Sequence, residues 1–391
     1  MPSGQKPISA PESICVLRLS AIGDCCHTLP VVRTLQAHWP TTQITWIVGR
    51  TEYGLLKDAS GIEFITFDKR DPQASMRDIR RQLAGRHFPL LLHMHASMRA
   101  NLVSRLVRAD VRLGFDRARA RDWQWLFSNR KIAARPNQHA MDALFGFAEY
   151  LGIRERVLRW DFAIGAADRE IAERLRAGPR PVCVISPCTS QRFRNYRNWR
   201  VENYVAVARH LIESHGAQIV LTGGPTETEQ EYGTAISAGL GTQPEGQLIN
   251  LVGKTSLKQL YAVLQMADLL ICPDSGPAHM ATAAGTPVVG LYATSNRHRT
   301  GPYLSQDLVV DAYPEAVRRE FKKTVAELRW GERVRDPAAM DLIKTDAVIE
   351  MCDQALANPR RPSAVIAGWT QSLQRTIHGE QVASDETAYR E

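Results

Sequence analysis

The chain has 391 residues, 44% of them hydrophobic and 23% charged, the balance of an ordinary folded protein rather than a fibrous or disordered one. No apolar run nears the roughly 18 residues of a membrane span, the first ten residues lack a signal-peptide core, and seven cysteines without C-x-x-C spacing argue against a disulfide framework or zinc ribbon and fit a reducing cytoplasm. The net charge of +8 lies wholly in the first half: residues 1–170 hold 25 Lys/Arg against 17 Asp/Glu, and residues 171–391 hold 24 of each.

The length suggests two or three domains. Apolar runs predict strands over Ile14 to Leu19, Gln43 to Val48, Ile62 to Phe67, Pro89 to Met94 and Val111 to Gly114, with helices near Leu29 to His38, Met76 to Ala84 and Arg99 to Val107. Such alternation predicts an α/β architecture with a parallel sheet wrapped by helices. Helix Asn137 to Leu151 leads to a polar boundary, Gly165 to Pro181, after which the pattern restarts. Strands are expected at Val182 to Ser186 and Gln218 to Leu221, and helices at Val201 to Ser214, near Thr226 to Ala238, and at Ser256 to Met266. Leu269 to Tyr292 then reads as strand, turn, small-residue helix, Gly285 stop and second strand. Two Rossmann-like domains, 1–165 and 166–358, follow, with 359–391 expected to be a flexible tail.

Open α/β sheets place ligands at the carboxyl ends of their strands, so the loops there should carry the chemistry. After the first strand comes S-A-I-G-D-C-C-H-T-L-P, Ser20 to Pro30; its single glycine is neither G-x-G-x-x-G nor a Walker loop, which weakens a dehydrogenase or NTPase reading. Asp24 could cap the following helix or act as a base. After Val182 to Ser186, Thr189 and Ser190 stand near Arg192, Arg194 and Arg197, donors suited to a diphosphate, or else an exposed basic loop. Glu227, in G-G-P-T-E, could accept from ribose hydroxyls or merely be an acidic residue in a first helical turn. Asp274, Ser275, Gly276 and His279 surround a helix start, where free N–H groups and the dipole suit phosphate.

Between Arg99 and Arg135, ten basic residues face only Asp110, Asp116 and Asp122. That segment is either a solvated face or a surface for an anionic partner; nucleic acid is disfavoured because no nucleic-acid module accompanies it. His93 and His95 alternate on a strand but have no third ligand at suitable spacing, and Cys25 with Cys26 reads as small buried residues rather than nucleophiles.

The Ser20 to Pro30 segment, R-N-W at 197–199, G-G-P-T-E at 223–227, D-S-G-P-A-H at 274–279 and V-R-L-G-F-D-R-A-R-A-R from Val111 to Arg121 together resemble the lipopolysaccharide heptosyltransferases of glycosyltransferase family 9, over residues 14 to 355. The first-half details most resemble the enzymes that add the first heptose to Kdo. The resemblance implies a GT-B fold with two Rossmann-like domains facing across a cleft, and inverting transfer of heptose from ADP-heptose to lipid A-linked Kdo. Asp24 would be the general base. Thr189, Ser190, Arg194 and Arg197 would hold the diphosphate, Arg197 standing where lysine is common, and Glu227 the ribose. Asp274, Ser275 (where threonine is common), Gly276 and His279 would cradle pyrophosphate and heptose. Arg99, Arg117, Arg119 and Arg121 would meet the anionic acceptor. No cofactor would be required, a divalent ion being at most auxiliary, and the enzyme would be cytoplasmic and peripherally associated with the inner membrane. A later core heptose, another sugar, or non-catalytic nucleotide or glycolipid binding on the same fold are the alternatives.

Overall fold

A computed structural model describes residues 9–176, 178–189 and 195–358. Among these residues, twelve strands form two six-stranded parallel sheets. The first half contributes β1 (Ser13–Leu17), β2 (Gln43–Gly49), β3 (Glu63–Phe67), β4 (Phe88–His93), β5 (Ala109–Gly114) and β6 (Arg130–Lys131). The second contributes β7 (Val182–Ile185), β8 (Gln218–Leu221), β9 (Leu248–Asn250), β10 (Leu269–Pro273), β11 (Val288–Tyr292) and β12 (Val309–Asp311). The order is β3-β2-β1-β4-β5-β6 in one sheet and β12-β11-β10-β7-β8-β9 in the other, the same doubly wound order used twice. Each sheet therefore reverses direction between its first and fourth strands, β1 and β4 or β7 and β10, and opens its crevice there.

The central strands are buried on both faces, which is why they are written as unbroken apolar runs rather than alternating ones. One apolar core runs through both halves, joining Ile14, Val16 and Leu92 to Val184, Leu270 and Cys272. Helix Ala166–Leu175 lies inside the expected boundary region and packs on helix Leu257–Met266 of the second half. Among the described residues no helix is long and apolar enough to cross a membrane. The expected tail, 359–391, lies outside the described residues.

One expectation is corrected where it bears on the site. Ser20 to Pro30 is largely helical: helix Ile22–His38 begins just after β1 and carries Pro30 inside it. Proline lacks the N–H that would bond to the carbonyl four residues back. That carbonyl belongs to Cys26, and the Trp160 indole Nε1–H donates to it at 2.6 Å. A long-range contact thus replaces the missing bond and lets the helix run through.

Candidate active site

The amino ends of two helices meet where the crevices face each other. Helix Ile22–His38 follows β1 and helix Gly276–Ala284 follows β10, and the two pack together across the seam. Gly23 makes the approach possible: a Cβ there would lie 2.3 Å from His279 Cδ2. Among the described residues a Cβ placed on Gly276 would meet only Ile22, at an ordinary 3.8 Å, so this turn is not crowded.

Asp24 stands in the first turn of its helix. Its Oδ2 accepts from the Ala21 N–H at 3.1 Å and pairs with Arg18 Nη2 at 2.5 Å. Arg18 is fixed in turn by donating Nη1 to the Met94 carbonyl at 2.6 Å. Both contacts fall on Oδ2, and Oδ1 has no partner among the described residues; the side chain is 39% exposed. Burial pushes the carboxyl up, but Arg18, the Ala21 N–H and His95 outweigh it and hold Asp24 below the usual carboxylate value. The group is therefore ionised at neutral pH, with one open oxygen. It both caps its helix and presents a base, so the two readings of the sequence are compatible.

On the other side of the seam Arg197 donates Nη1 to the Asp274 carbonyl at 2.6 Å and to Asp274 Oδ2 at 2.9 Å, and Nε to Asn195 Oδ1 at 2.6 Å. Ser295 Oγ donates to the same Asp274 Oδ2 at 2.8 Å. Asp274 is buried, and although burial raises its carboxyl, Arg197, His279, Arg333 and Ser295 bring it below its usual value. It is an anchor for Arg197 rather than a group free to meet a ligand. Ser275 occupies the N-cap of its helix without capping it, and its Oγ makes no hydrogen bond among the described residues. His279 Nδ1 is likewise buried without a partner.

Thr189 is knitted into its loop: its N–H donates to Asn198 Oδ1 at 2.9 Å, and Asn195 Nδ2 donates to its hydroxyl at 2.7 Å. Ser190, Arg192 and Arg194 lie outside the described residues. Glu227 is exposed in the first turn of helix Glu227–Leu240, whereas Glu229 is consumed by Gly224 N–H at 2.7 Å and Thr226 Oγ1 at 2.6 Å. Of the four arginines expected to meet an acceptor, Arg99, Arg117 and Arg121 are exposed. Arg119 differs: it pairs with Asp116 and donates to Gln138 Oε1 and the Ala133 carbonyl, each at 2.8 Å, so it braces its own loop.

Other groups are brought to the seam by contacts far along the chain. His27 stacks edge-on to His279 with centroids 4.4 Å apart and to His139 at 5.4 Å. Burial, followed for His27 by its two neighbouring histidines, keeps His27 and His139 neutral, the latter at about 4. Burial also lowers His279, against the opposing pull of Asp274 and Asp24. His95 Nδ1 accepts from Leu19 N–H at 3.2 Å, placing its proton on Nε2. Arg299 is half-buried near Asp24 and Asp274, with its guanidinium lowered first by burial and then by Arg121.

His93 and His95 join no third ligand among the described residues. The one described cluster with metal-ligand closeness is His210, His215 and Asp353. Asp353 Oδ1 there accepts from both rings at 2.8 and 2.7 Å, and His215 ends the helix Val201–His215, which starts near β7's carboxyl end. None of the three residues contacts the groups of the seam among the described hydrogen bonds. Burial raises the Cys25 and Cys26 thiols, which removes them as nucleophiles.

The model of glycosyltransferase family 9 (heptosyltransferase) matches residues 76–330. This chain belongs to glycosyltransferase family 9. The lipopolysaccharide core heptosyltransferase OpsX of Haemophilus influenzae is 39% identical over 340 residues, spanning 87% of this chain and 96% of the relative. Among solved structures, the family 9 glycosyltransferase of Veillonella parvula superposes with a TM-score of 0.71 at 20% identity, covering 88% of this chain and 97% of its own. The heptosyltransferase WaaC of E. coli with ADP gives 0.67 at 19%, covering 88% and 99%. The two facing sheets are the GT-B arrangement of these family 9 neighbours, and the chain is a glycosyltransferase of the heptosyltransferase family.

Proposed function

We propose that this chain transfers heptose, with inversion, from ADP-heptose to the anionic Kdo of the lipopolysaccharide inner core. The observation that carries this is the seam itself. The open Oδ1 of ionised Asp24 comes from one half, and a helix start with an unbonded Ser275 Oγ and an anchored Arg197 comes from the other, the two helices meeting closely at Gly23 and His279. Asp24 takes the proton of the acceptor hydroxyl as its oxygen bonds to the anomeric carbon from the face opposite the diphosphate. The sugar–phosphate bond breaks, its electron pair leaves on ADP, and the configuration inverts. The N–H groups of helix Gly276–Ala284, its dipole, Ser275 and the Arg197 guanidinium stabilise the negative charge that develops on the diphosphate. No cofactor is needed in this scheme, and a divalent ion would be auxiliary, because the helix and guanidinium already oppose that charge. Glu227 receives the ribose hydroxyls, and Arg99, Arg117 and Arg121 meet the acceptor's carboxylate or phosphates from a cytoplasmic enzyme.

The test is a transfer assay with purified nucleotide sugars against acceptors truncated at successive core positions. ADP-heptose with a Kdo-terminated acceptor should turn over fastest. Preference for a heptose-terminated acceptor would overturn the first-heptose assignment, and ADP binding without transfer to any acceptor would overturn the enzymatic one.

A further inference from the structure

One exposed apolar turn on the rim of the first half belongs neither to the core nor to the reacting groups. Trp123, Trp125 and Leu126 are 63%, 45% and 62% exposed, and Leu102 on helix Met98–Ser104 is 46% exposed. Single exposed apolar side chains are ordinary, but a concentration of them signals contact with something. Of the large hydrophobics exposed among the described residues, only Tyr196 lies elsewhere.

The turn is built, not frayed. Gln124 is buried between the two tryptophans and donates Nε2 to the His93 carbonyl at 2.7 Å. Asp122 accepts from Met98 N–H at 2.9 Å on Oδ2, and its carbonyl accepts from Asn101 Nδ2 at 2.6 Å, which clamps the turn to the helix carrying Leu102. Asp122 and Trp123 are held in the left-handed region at φ 51° and 59°, which side chains of this size seldom adopt.

Charge indicates what the turn meets. Arg99, Arg105, Arg108, Arg117 and Arg121, in the segments that flank it in sequence, are exposed and have no ion pair among the described residues, and Arg117 stacks over Trp125 at 5.4 Å. The nearby acids are already engaged: Asp110 with His87, Asp116 with Arg119, and Asp122 with Met98 N–H. Exposed tryptophans beside arginines that outnumber the acids match the interfacial layer of an anionic bilayer, where indoles sit at headgroup depth and guanidinium groups meet phosphate. The four side chains expose roughly 400 Å², about half of what one partner contributes to a stable dimer.

We propose that this turn is a membrane-docking wedge, with Trp123, Trp125, Leu126 and Leu102 entering an anionic lipid surface and the surrounding arginines contacting its phosphates. Because Gln124 ties the turn to the end of β4, beside His95 and Asp24, docking brings the mouth of the cleft to headgroup level. Docking of this kind rests on the proposed lipid-borne acceptor, yet its vesicle-binding readout requires neither donor nor acceptor.

The full chain is sedimented with vesicles of phosphatidylcholine alone or mixed with phosphatidylglycerol. Binding is expected to the anionic vesicles and to weaken with salt. Trp123→Ser with Trp125→Ser should lower partitioning by about tenfold per indole, and Arg105→Gln with Arg108→Gln by about fivefold per charge. Transfer to a delipidated, soluble acceptor should be unchanged in both variants, which shows that they fold. Equal binding to neutral vesicles, or undiminished binding by the tryptophan variant, overturns the proposal. So does a wild-type dimer that this variant converts to monomer without loss of vesicle binding. Vesicle binding by a wild type that transfers no sugar would sink the transferase reading and leave docking standing.

Discussion

Replacing Gly23 by alanine asks whether the seam holds the geometry of the reaction. A methyl group there would stand 2.3 Å from His279 Cδ2, 3.0 Å from Cγ and 3.2 Å from Nε2. Carbon atoms settle at about 3.5–4.0 Å, so ring or helix must retreat by more than about 1 Å. His279 has little room to swing, since the residue is 8% exposed and its ring abuts His27 at 4.4 Å. The displacement therefore falls on the helix carrying Asp24 relative to helix Gly276–Ala284, and a misplacement of about 1 Å can cost about 10²-fold in rate. Gly54 is the control: it too lies in a helix, Arg50–Leu56, but an added Cβ meets nothing within 4 Å. Gly54→Ala should raise stability by about 0.5–1 kcal/mol and leave transfer untouched. Steady-state kinetics and thermal unfolding on both variants should show kcat/KM falling about 100-fold for Gly23→Ala alone. Adding it to His279→Ala should cost little more, because the clash is then gone. Wild-type transfer by Gly23→Ala would refute the close seam as a requirement of catalysis.

Asp24→Asn should leave ADP affinity, read by calorimetry, nearly unchanged while transfer falls by about 10²–10⁴-fold; equal transfer by both proteins would remove Asp24 from the mechanism. Arg121→Gln should raise the acceptor KM by about tenfold, the weight of one charge-assisted hydrogen bond, without moving the thermal midpoint. Arg119→Gln should instead lower the midpoint, because Arg119 braces Asp116, Gln138 and Ala133; the reverse pattern would exchange their roles. Stability should also decline in mild acid. Burial first, then neighbouring positive groups, lowers His93 and His95 to about 3, and burial brings His139 to about 4. The unfolded chain binds protons below about pH 6.5 that the fold refuses, so stability is intact above that value and is lost as pH falls toward the folded ones. Each buried histidine contributes at most about 1.4 kcal/mol per pH unit in that window, and a thermal midpoint flat from about pH 7 to 5 would contradict it.

The strands legible in sequence were those buried on both faces, such as Ile14 to Leu19 and Leu269 to Cys272, because burial writes an unbroken apolar run. β6, β9 and β12 were not, since two or three residues at partly exposed sheet edges leave no pattern. Ser20 to Pro30 read as a loop because Gly23 and Pro30 are local breakers. It is helical because Trp160, distant in sequence, satisfies the Cys26 carbonyl that Pro30 abandons. The same divide runs through the site. Asp24, Arg197 and Asp274 sit at strand ends and could be picked out by position. Arg18, His95, His139, Ser295 and Arg299 reach the seam by tertiary contact, and the engagement of Asp274 with Arg197 and Ser295 is equally invisible without the fold.

The charge of the seam follows from who is already paired. Asp24 is offset by Arg18 and Asp274 by Arg197, and the histidines between them are neutral, so these groups sum to nothing. What remains is cationic: Arg299, half-buried, and Arg121, whose Nη2 would lie 3.5 Å from a Cβ on Gly331 of the second half. After burial, Arg121 is the largest influence lowering the Arg299 guanidinium. The bases and anchors of the two halves thus neutralise one another locally, while the unpaired charge is supplied jointly by both halves.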